Sequence, residues 1–311
     1  MRRKSGTAIF LCGLLLVSAA SAPQEKKKEL SHSITVRAIT MAVTVVDRRG
    51  RFVDNLTQKD FELYEDGERR EIVFFNHDAG SPLSLTVLLD VSGSMAVLDK
   101  YNEARGALRE LAASVLGPGD EIALLIFADG DVEVAAPFSA DKTPFLSELD
   151  RTEPYGQTAL YDAVAVSPAF ANRGRNEKRA VLLITDGVEN DSRLTPAAAV
   201  EAARRVEVPI YAVGYKIPRS EVLLRKLKRA ADLTPAGIIG VLTRFAQATG
   251  GKAFFLDEPV ALRSTLLDIR RELGHQYLVG FTSHADPDAG FKKIRVATVD
   301  KRYRVRTREG F

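Results

Sequence analysis

The pattern of apolar and polar positions divides the chain into a central region and two flanking β-rich regions. Between residues 82 and 274, short and nearly continuous apolar runs alternate with segments whose apolar residues repeat at helical spacing. Such alternation is typical of a mostly parallel sheet whose two faces are covered by helices. The pattern predicts strands at 84–89, 120–127, 132–136, 179–185, 209–213 and 252–256, and helices at 99–115, 160–171, 196–205, 238–248 and 259–273.

The flanking regions, 34–80 and 275–311, have strand signals and no long helical pattern. In the first of them, Thr57 and Asp60 have the spacing of a capping box, and Asp66-Gly67 predicts a hairpin turn between strands at 61–64 and 71–75. Each region is too short to form a stable sandwich alone. We therefore expect them to pack together as one small β-sandwich with the α/β domain, 82–274, inserted between them.

The N-terminus has the composition of a secretory signal peptide. Arg2, Arg3 and Lys4 precede a short apolar run and a series of small residues, which predicts a signal peptide at 1–22 followed by a polar linker at 23–33. The run is too short to span a bilayer, although an uncleaved membrane anchor is the alternative. We expect an exported protein, periplasmic, cell-surface or secreted, with no transmembrane segment in the mature chain.

Loss of the signal peptide changes the bulk properties of the chain. The formal charge falls from +3 to 0 because three basic residues are removed, so the charge gives no reason to expect a nucleic-acid partner. The only cysteine, Cys12, is removed as well, which leaves no disulfide chemistry. The absence of disulfides in an exported chain of this size favours a bacterial source.

Polar oxygens follow the first predicted strand of the central region. Asp90, Ser92 and Ser94 supply one carboxylate and two hydroxyls within five residues. Hard cations such as Mg²⁺ prefer oxygen ligands of this kind. A helix N-cap cluster is an alternative explanation of the same three residues.

Two further oxygens are expected at the same place. Asp186 ends another apolar strand, and Thr158 lies in a glycine loop that enters a helix. Ligands of doubly wound sheets lie outside the carboxyl ends of the strands, where the strand order reverses. If the first and fourth strands of the α/β region flank that point, Asp90 and Asp186 face the same crevice.

These motifs resemble the metal-ion-dependent adhesion site of von Willebrand factor type A (VWFA) domains. All five ligand positions of that family are filled, and the arrangement is similar to that of bacterial VWFA-related proteins with flanking β segments. The resemblance implies a Rossmann-like fold and a metal ion, Mg²⁺ with Mn²⁺ or Ca²⁺ as alternatives. It also implies that Ser92, Ser94 and Thr158 bind the ion directly, while Asp90 and Asp186 act often through water.

The function expected from these features is non-enzymatic binding of a protein partner. Two carboxylates formally balance Mg²⁺, and an Asp or Glu carboxylate of the partner can complete its coordination shell. One alternative is a structural component of the cell envelope in which the metal only stabilises the fold. A metal-dependent hydrolase is disfavoured, since no Gly-x-Ser-x-Gly elbow or positioned histidine accompanies the serines.

The segment 216–233 departs from the pattern of the family. It is longer than usual for that position and strongly basic, with Lys216, Arg219, Arg225, Lys226, Lys228 and Arg229. A solvated helix is the simplest interpretation, and contact with a partner or an anionic surface is the alternative.

Overall fold

The computed structural model describes residues 37–77, 80–219, 234–285 and 290–311. The predicted signal peptide and linker, and residues 220–233 of the basic segment, lie outside the described residues. No helix in the described ranges is both long enough and apolar enough to cross a membrane.

A six-stranded sheet forms the centre of the α/β region. Its strands are β5 (Leu83–Asp90), β6 (Glu121–Ala128), β7 (Asp131–Ser139), β8 (Lys178–Thr185), β9 (Ile210–Tyr215) and β10 (Ala253–Leu256), arranged in the order β10-β9-β8-β5-β6-β7. All neighbours are parallel except β6 and β7. The strand order reverses between β5 and β8, which are adjacent, so the predicted sheet and its switch point are confirmed.

In the described ranges, six α-helices cover the two faces of this sheet. They are α1 (Lys100–Glu110), α2 (Thr143–Arg151), α3 (Leu160–Ala171), α4 (Pro196–Arg204), α5 (Pro235–Thr249) and α6 (Pro259–Gly274). Apolar residues of α1, α2 and α6 form one core with one face of the sheet, and those of α3, α4 and α5 form a second core with the other face. Both faces of the sheet are therefore buried, which explains why its strands consist of nearly continuous apolar residues.

Strands from the two ends of the chain pair with each other. The flanking strands are β1 (Arg37–Val46), β2 (Phe61–Glu65), β3 (Glu68–Arg70), β4 (Ile72–Asn76), β11 (Tyr277–Ser283), β12 (Ile294–Thr298) and β13 (Arg304–Arg306). They form two antiparallel sheets, β13-β1-β11-β4 and β12-β2-β3. One hydrophobic core contains residues of both sheets, among them Ile39, Leu63, Tyr277 and Val296. The packing of N- and C-terminal β segments around the α/β region agrees with the sequence-based expectation.

Local details differ from the prediction in three places. The Asp66-Gly67 turn joins β2 to β3 rather than to 71–75, because both turn residues have positive φ and pair the strands immediately, Glu65 with Glu68. Residues 72–76 instead join the other sheet. The helix α2 was not predicted, although Phe145 and Leu149 have helical spacing and are buried. The predicted helix at 99–115 is α-helical only to Glu110 and ends in a wider π-type turn at Leu111–Val115.

Candidate metal centre

Three loops meet at the carboxyl edge of the central sheet. The first follows β5, the second precedes α3, and the third follows β8. Backbone hydrogen bonds join them: Gly93 N donates to Gly156 O (3.0 Å), Tyr155 N to Val91 O (2.7 Å), and Asn190 N to Thr158 O (3.1 Å). Of the five residues singled out in the sequence, Asp90 is the last residue of β5, and Ser92, Ser94, Thr158 and Asp186 lie on these joined loops.

The loop after β5 turns sharply at its first residues. Asp90 Oδ1 accepts a hydrogen bond from Ser92 N at 2.9 Å, and the Ser92 and Ser94 hydroxyls are 3.1 Å apart. Asp90 and Ser92 are buried, and Ser94 is half-buried. The Ser92 side chain makes no capping hydrogen bond to the helical turn that follows, so its hydroxyl faces the neighbouring serine and not the backbone. The N-cap explanation of this motif therefore has no support at Ser92.

Thr158 is held by its backbone on both sides. Its N–H donates to the Asn190 side-chain oxygen at 2.8 Å, and its carbonyl accepts from the loop after β8. The preceding Gly156 has φ +65°, and a Cβ there would lie 2.2 Å from the Asp129 carboxylate. Any side chain at that position would clash, which explains why this loop contains glycine there.

Asp186 is fully buried, and both of its carboxylate oxygens have partners. Oδ1 accepts from Val188 N at 3.0 Å, and Oδ2 accepts from the Lys100 ammonium at 2.5 Å. The next residue, Gly187, has φ +74° and leaves no room for a side chain beside Ile238. Lys100 is itself only 3% exposed. A buried lysine therefore lies directly against one of the predicted ligands.

Electrostatics at this edge are dominated by buried negative charge. Burial, and then repulsion from Asp186, raises the pKa of Asp90 to about 7 from its ordinary value of 3.8. Asp90 Oδ2 accepts a hydrogen bond from Thr185 Oγ1 at 2.5 Å, which partly offsets that cost. Glu189 adds a third buried carboxylate, which accepts from Leu160 N (2.7 Å) at the start of α3. Among the described residues, three buried carboxylates thus lie in the loops of this edge, and one buried ammonium, that of Lys100, contacts Asp186.

The donor set suits a hard cation better than it suits proton or nucleophile chemistry. Two carboxylates and three hydroxyls are oxygen ligands of the kind that Mg²⁺ takes, and the excess of buried negative charge favours an added cation. Among the described residues, no group of three or more His, Cys, Asp or Glu side chains could hold a metal. A set with two carboxylates relies on neutral hydroxyls for its remaining ligands.

Sequence reasoning missed two side chains of this site. Thr185, the last residue of β8, donates to Asp90, and Lys100 pairs with Asp186. Thr185 gives no signal in the sequence because a threonine is ordinary in a strand. Lys100 does give a signal in the sequence, because it is a cation at the first position of a helix, where the helix dipole disfavours positive charge.

Residues 85–189 match the family model of the von Willebrand factor type A domain. The chain contains a von Willebrand factor type A domain. The matched range includes all five candidate ligands. The boundaries predicted for the domain, 82–274, and for the segments around it remain predictions.

Individual relatives are distant. An uncharacterized protein of Borreliella burgdorferi is 22% identical over 200 residues, which are 60% of this chain and 58% of that protein. The chain therefore matches less than two thirds of that relative's length. The pilus adhesin SpaC of Lactobacillus rhamnosus GG is similar in structure, with a TM-score of 0.52, 12% identity and coverage of 69% of this chain and 34% of SpaC. Proximal thread matrix protein 1 of the mussel byssus has a TM-score of 0.50 and 17% identity over 68% of this chain and 50% of that protein. These likenesses support the fold alone.

Proposed function

We propose that the protein is an exported, non-enzymatic binding module that uses a divalent cation, Mg²⁺ in the first place, to engage a carboxylate of a partner protein. A von Willebrand factor type A domain indicates a protein-interaction module, and the metal and the partner's chemistry are our proposal. The observation that carries it is the convergence of Asp90, Ser92, Ser94, Thr158 and Asp186 at the switch point, where buried carboxylates outnumber buried cations.

In this proposal the hydroxyls of Ser92, Ser94 and Thr158 hold the ion directly, and Asp90 and Asp186 balance its charge. A bound Mg²⁺ would supply an electrophilic position that an external carboxylate can fill. The N-terminus of α3, which begins two residues after Thr158, adds a favourable dipole for an approaching anion. The Thr158 backbone is fixed by Asn190, so the loop is preorganised to present its hydroxyl.

A non-enzymatic role rests on the sequence, because no Gly-x-Ser-x-Gly elbow or positioned histidine accompanies Ser92 and Ser94. The Ser92 hydroxyl lies 3.1 Å from that of Ser94 and also contacts the Asp90 carboxylate, which is one of the proposed ligands. The export of the protein, to the periplasm, the cell surface or the medium, rests on the N-terminal sequence and belongs to the proposal.

Isothermal titration of the mature protein with Mn²⁺ and Mg²⁺ tests the metal. We expect one binding event per chain, which is absent in Asp90→Ala and retained in Asp120→Ala, a variant at the opposite edge of the sheet. An absence of binding in the wild type, or equal binding in Asp90→Ala, would refute the proposed site.

A second experiment tests whether the partner is bound through an Asp or Glu carboxylate. Immobilised protein is incubated with a random peptide library in Mg²⁺ or in chelator, and the peptides that are retained only in Mg²⁺ are sequenced. We expect enrichment of Asp or Glu, and loss of binding when that residue is changed to Asn or Gln. Retention that is independent of Mg²⁺ would argue against engagement through the metal.

A further inference from the structure

Lys100 occupies a position that is unfavourable for a lysine by two criteria. It is the first residue of α1, where the helix dipole opposes a positive charge, and its side chain is only 4% exposed. A buried ammonium needs a counter-charge in direct contact, because the loss of hydration is otherwise not compensated. Asp186 Oδ2, at 2.5 Å, supplies that counter-charge.

The lysine occupies the oxygen of Asp186 that has no backbone donor. Asp186 Oδ1 accepts from Val188 N, and Oδ2 accepts from the Lys100 ammonium. An ion that binds Asp186 through Oδ2, directly or through water, must share that oxygen with the ammonium or displace it. When both carboxylates are ionised, Asp90 and Asp186 carry a summed charge of −2, and the lysine reduces it to −1.

We infer that Lys100 is a tethered cation that neutralises Asp186 in the metal-free protein and weakens the binding of divalent ions at this site. The inference rests on the proposed function, because it concerns the same five ligands. Its consequence is a domain that folds without metal and takes up the ion reversibly. The ammonium stabilises the empty carboxylate edge and competes with the ion for it.

The test compares two buried lysines on opposite edges of one sheet. Lys100→Met removes the cation beside Asp186, while Lys178→Met removes an equally buried lysine at the other end of β8, whose ammonium donates to Gly274 O at 2.8 Å. Mn²⁺ affinity is measured by titration calorimetry near neutral pH. A unit charge roughly 5 Å from a divalent ion, at an effective dielectric constant of about 20, changes affinity by more than tenfold. We therefore expect Lys100→Met to bind Mn²⁺ at least about tenfold more tightly than the wild type, and Lys178→Met to bind as the wild type does.

The shift in melting temperature on adding Mn²⁺ is a second measurement. We expect a larger shift in Lys100→Met than in the wild type, since the metal then replaces the missing cation. Lys100→Arg keeps the charge and should bind Mn²⁺ as the wild type does. Should Lys100→Met fail to fold, Lys100→Gln keeps a hydrogen-bond donor without the charge and makes the same comparison.

The outcomes separate this inference from the proposed function. Unchanged or weaker Mn²⁺ binding in Lys100→Met, with normal binding in the wild type, overturns the role of Lys100 and leaves the metal site standing. Binding in Lys100→Met but not in the wild type supports the inference in its strongest form and refutes the metal in the natural protein. Binding in neither overturns both.

Discussion

The two edges of the central sheet both bury carboxylates, and they neutralise them differently. At the amino edge, Asp120 pairs with Arg270 at 2.8 Å and also accepts from Leu83 N, and Glu121 pairs with Arg175 at 3.3 Å. At the carboxyl edge, within the part of the chain that the structure describes, Asp90 accepts hydrogen bonds from neutral groups only, and Lys100 is the cation that contacts Asp186.

This difference supports our proposal that the carboxyl edge, and not the amino edge, binds a ligand. Arginines and backbone donors satisfy the acids of the amino edge, so an added cation would gain little there. The carboxyl edge keeps an excess of negative charge beside three hydroxyls. Buried negative charge without a counter-ion is unfavourable for folding, and sites that keep such an excess are candidates for ligand binding.

The largest expected effect is on Asp186→Ala, which would leave the Lys100 ammonium buried without its partner. We expect this variant to lower the free energy of unfolding of the metal-free protein by about 3–5 kcal/mol. Adding Lys100→Met should restore roughly half of the loss, because the stranded charge is then gone. Urea denaturation at equilibrium measures both quantities.

The amino edge supplies the matched pair of variants, Asp120→Ala alone and with Arg270→Met. Asp120 also accepts from Leu83 N and Gly117 N, and the second substitution cannot satisfy those donors. Arg270 is more exposed than Lys100, with 22% of its side chain accessible. We expect no restoration at this edge, and equal restoration at both edges would remove the contrast between them.

Metal should stabilise the wild-type protein and not a variant of the carboxyl edge. At a free Mn²⁺ concentration one hundred times its dissociation constant, linkage predicts about 2.7 kcal/mol of added stability. Asp90→Asn should lose this gain, while Asp120→Asn should keep it. Chemical denaturation with and without chelator provides the measurement, and stabilisation of Asp90→Asn by metal would place the ion elsewhere.

The pH dependence of stability gives a third test, in the metal-free protein. Because the pKa of Asp90 is raised from 3.8 to about 7, the folded state holds a proton that the unfolded state releases between these two values. The contribution of Asp90 to the free energy of unfolding is therefore lost as the pH rises from about 4 to about 7. Asp90→Asn should flatten that part of the stability profile, and an identical slope in the variant would show that Asp90 is ionised throughout the range.

Thr158→Val should produce the smallest of these effects. The change keeps the shape and removes only the hydroxyl, so we expect a change in stability within about 1 kcal/mol and a fall in Mn²⁺ affinity of about tenfold. Thr86→Val is the control, since the Thr86 hydroxyl is buried in β5 and has no hydrogen-bond partner among the described residues. Calorimetric titration should show wild-type affinity in Thr86→Val; an equal loss in both variants would mean that Thr158 supplies no ligand.

Much of the fold follows from local patterns in the sequence. Continuous apolar runs identified the buried strands, and glycine loops and strand-end carboxylates identified the edge where Asp90, Thr158 and Asp186 meet. That inference worked because parallel strands end at a common edge whatever their order. The pairing of β2 with β3 could not be predicted, because two adjacent segments, 68–70 and 71–75, could both follow the Asp66-Gly67 turn.

The missing part of the site is a long-range contact. Lys100 lies 86 positions before Asp186, and their pairing depends on how α1 leaves the loop after β5. Leu98 and Asp99 both have positive φ there, a conformation that residues with side chains rarely adopt. No pattern in the sequence predicts it. The five candidate ligands were named because they match the motif of the family, whereas the contact of Lys100 with Asp186 depends on this local backbone.

We propose above all that a divalent ion binds between the three loops of the carboxyl edge. Anomalous scattering from a crystal of the protein that is grown or soaked with Mn²⁺ tests this binding most directly. We predict one strong Mn²⁺ peak within about 2.5 Å of the hydroxyl oxygens of Ser92, Ser94 and Thr158, and no such peak in crystals of Asp90→Ala. A peak elsewhere, or none at this edge at saturating Mn²⁺, would contradict it.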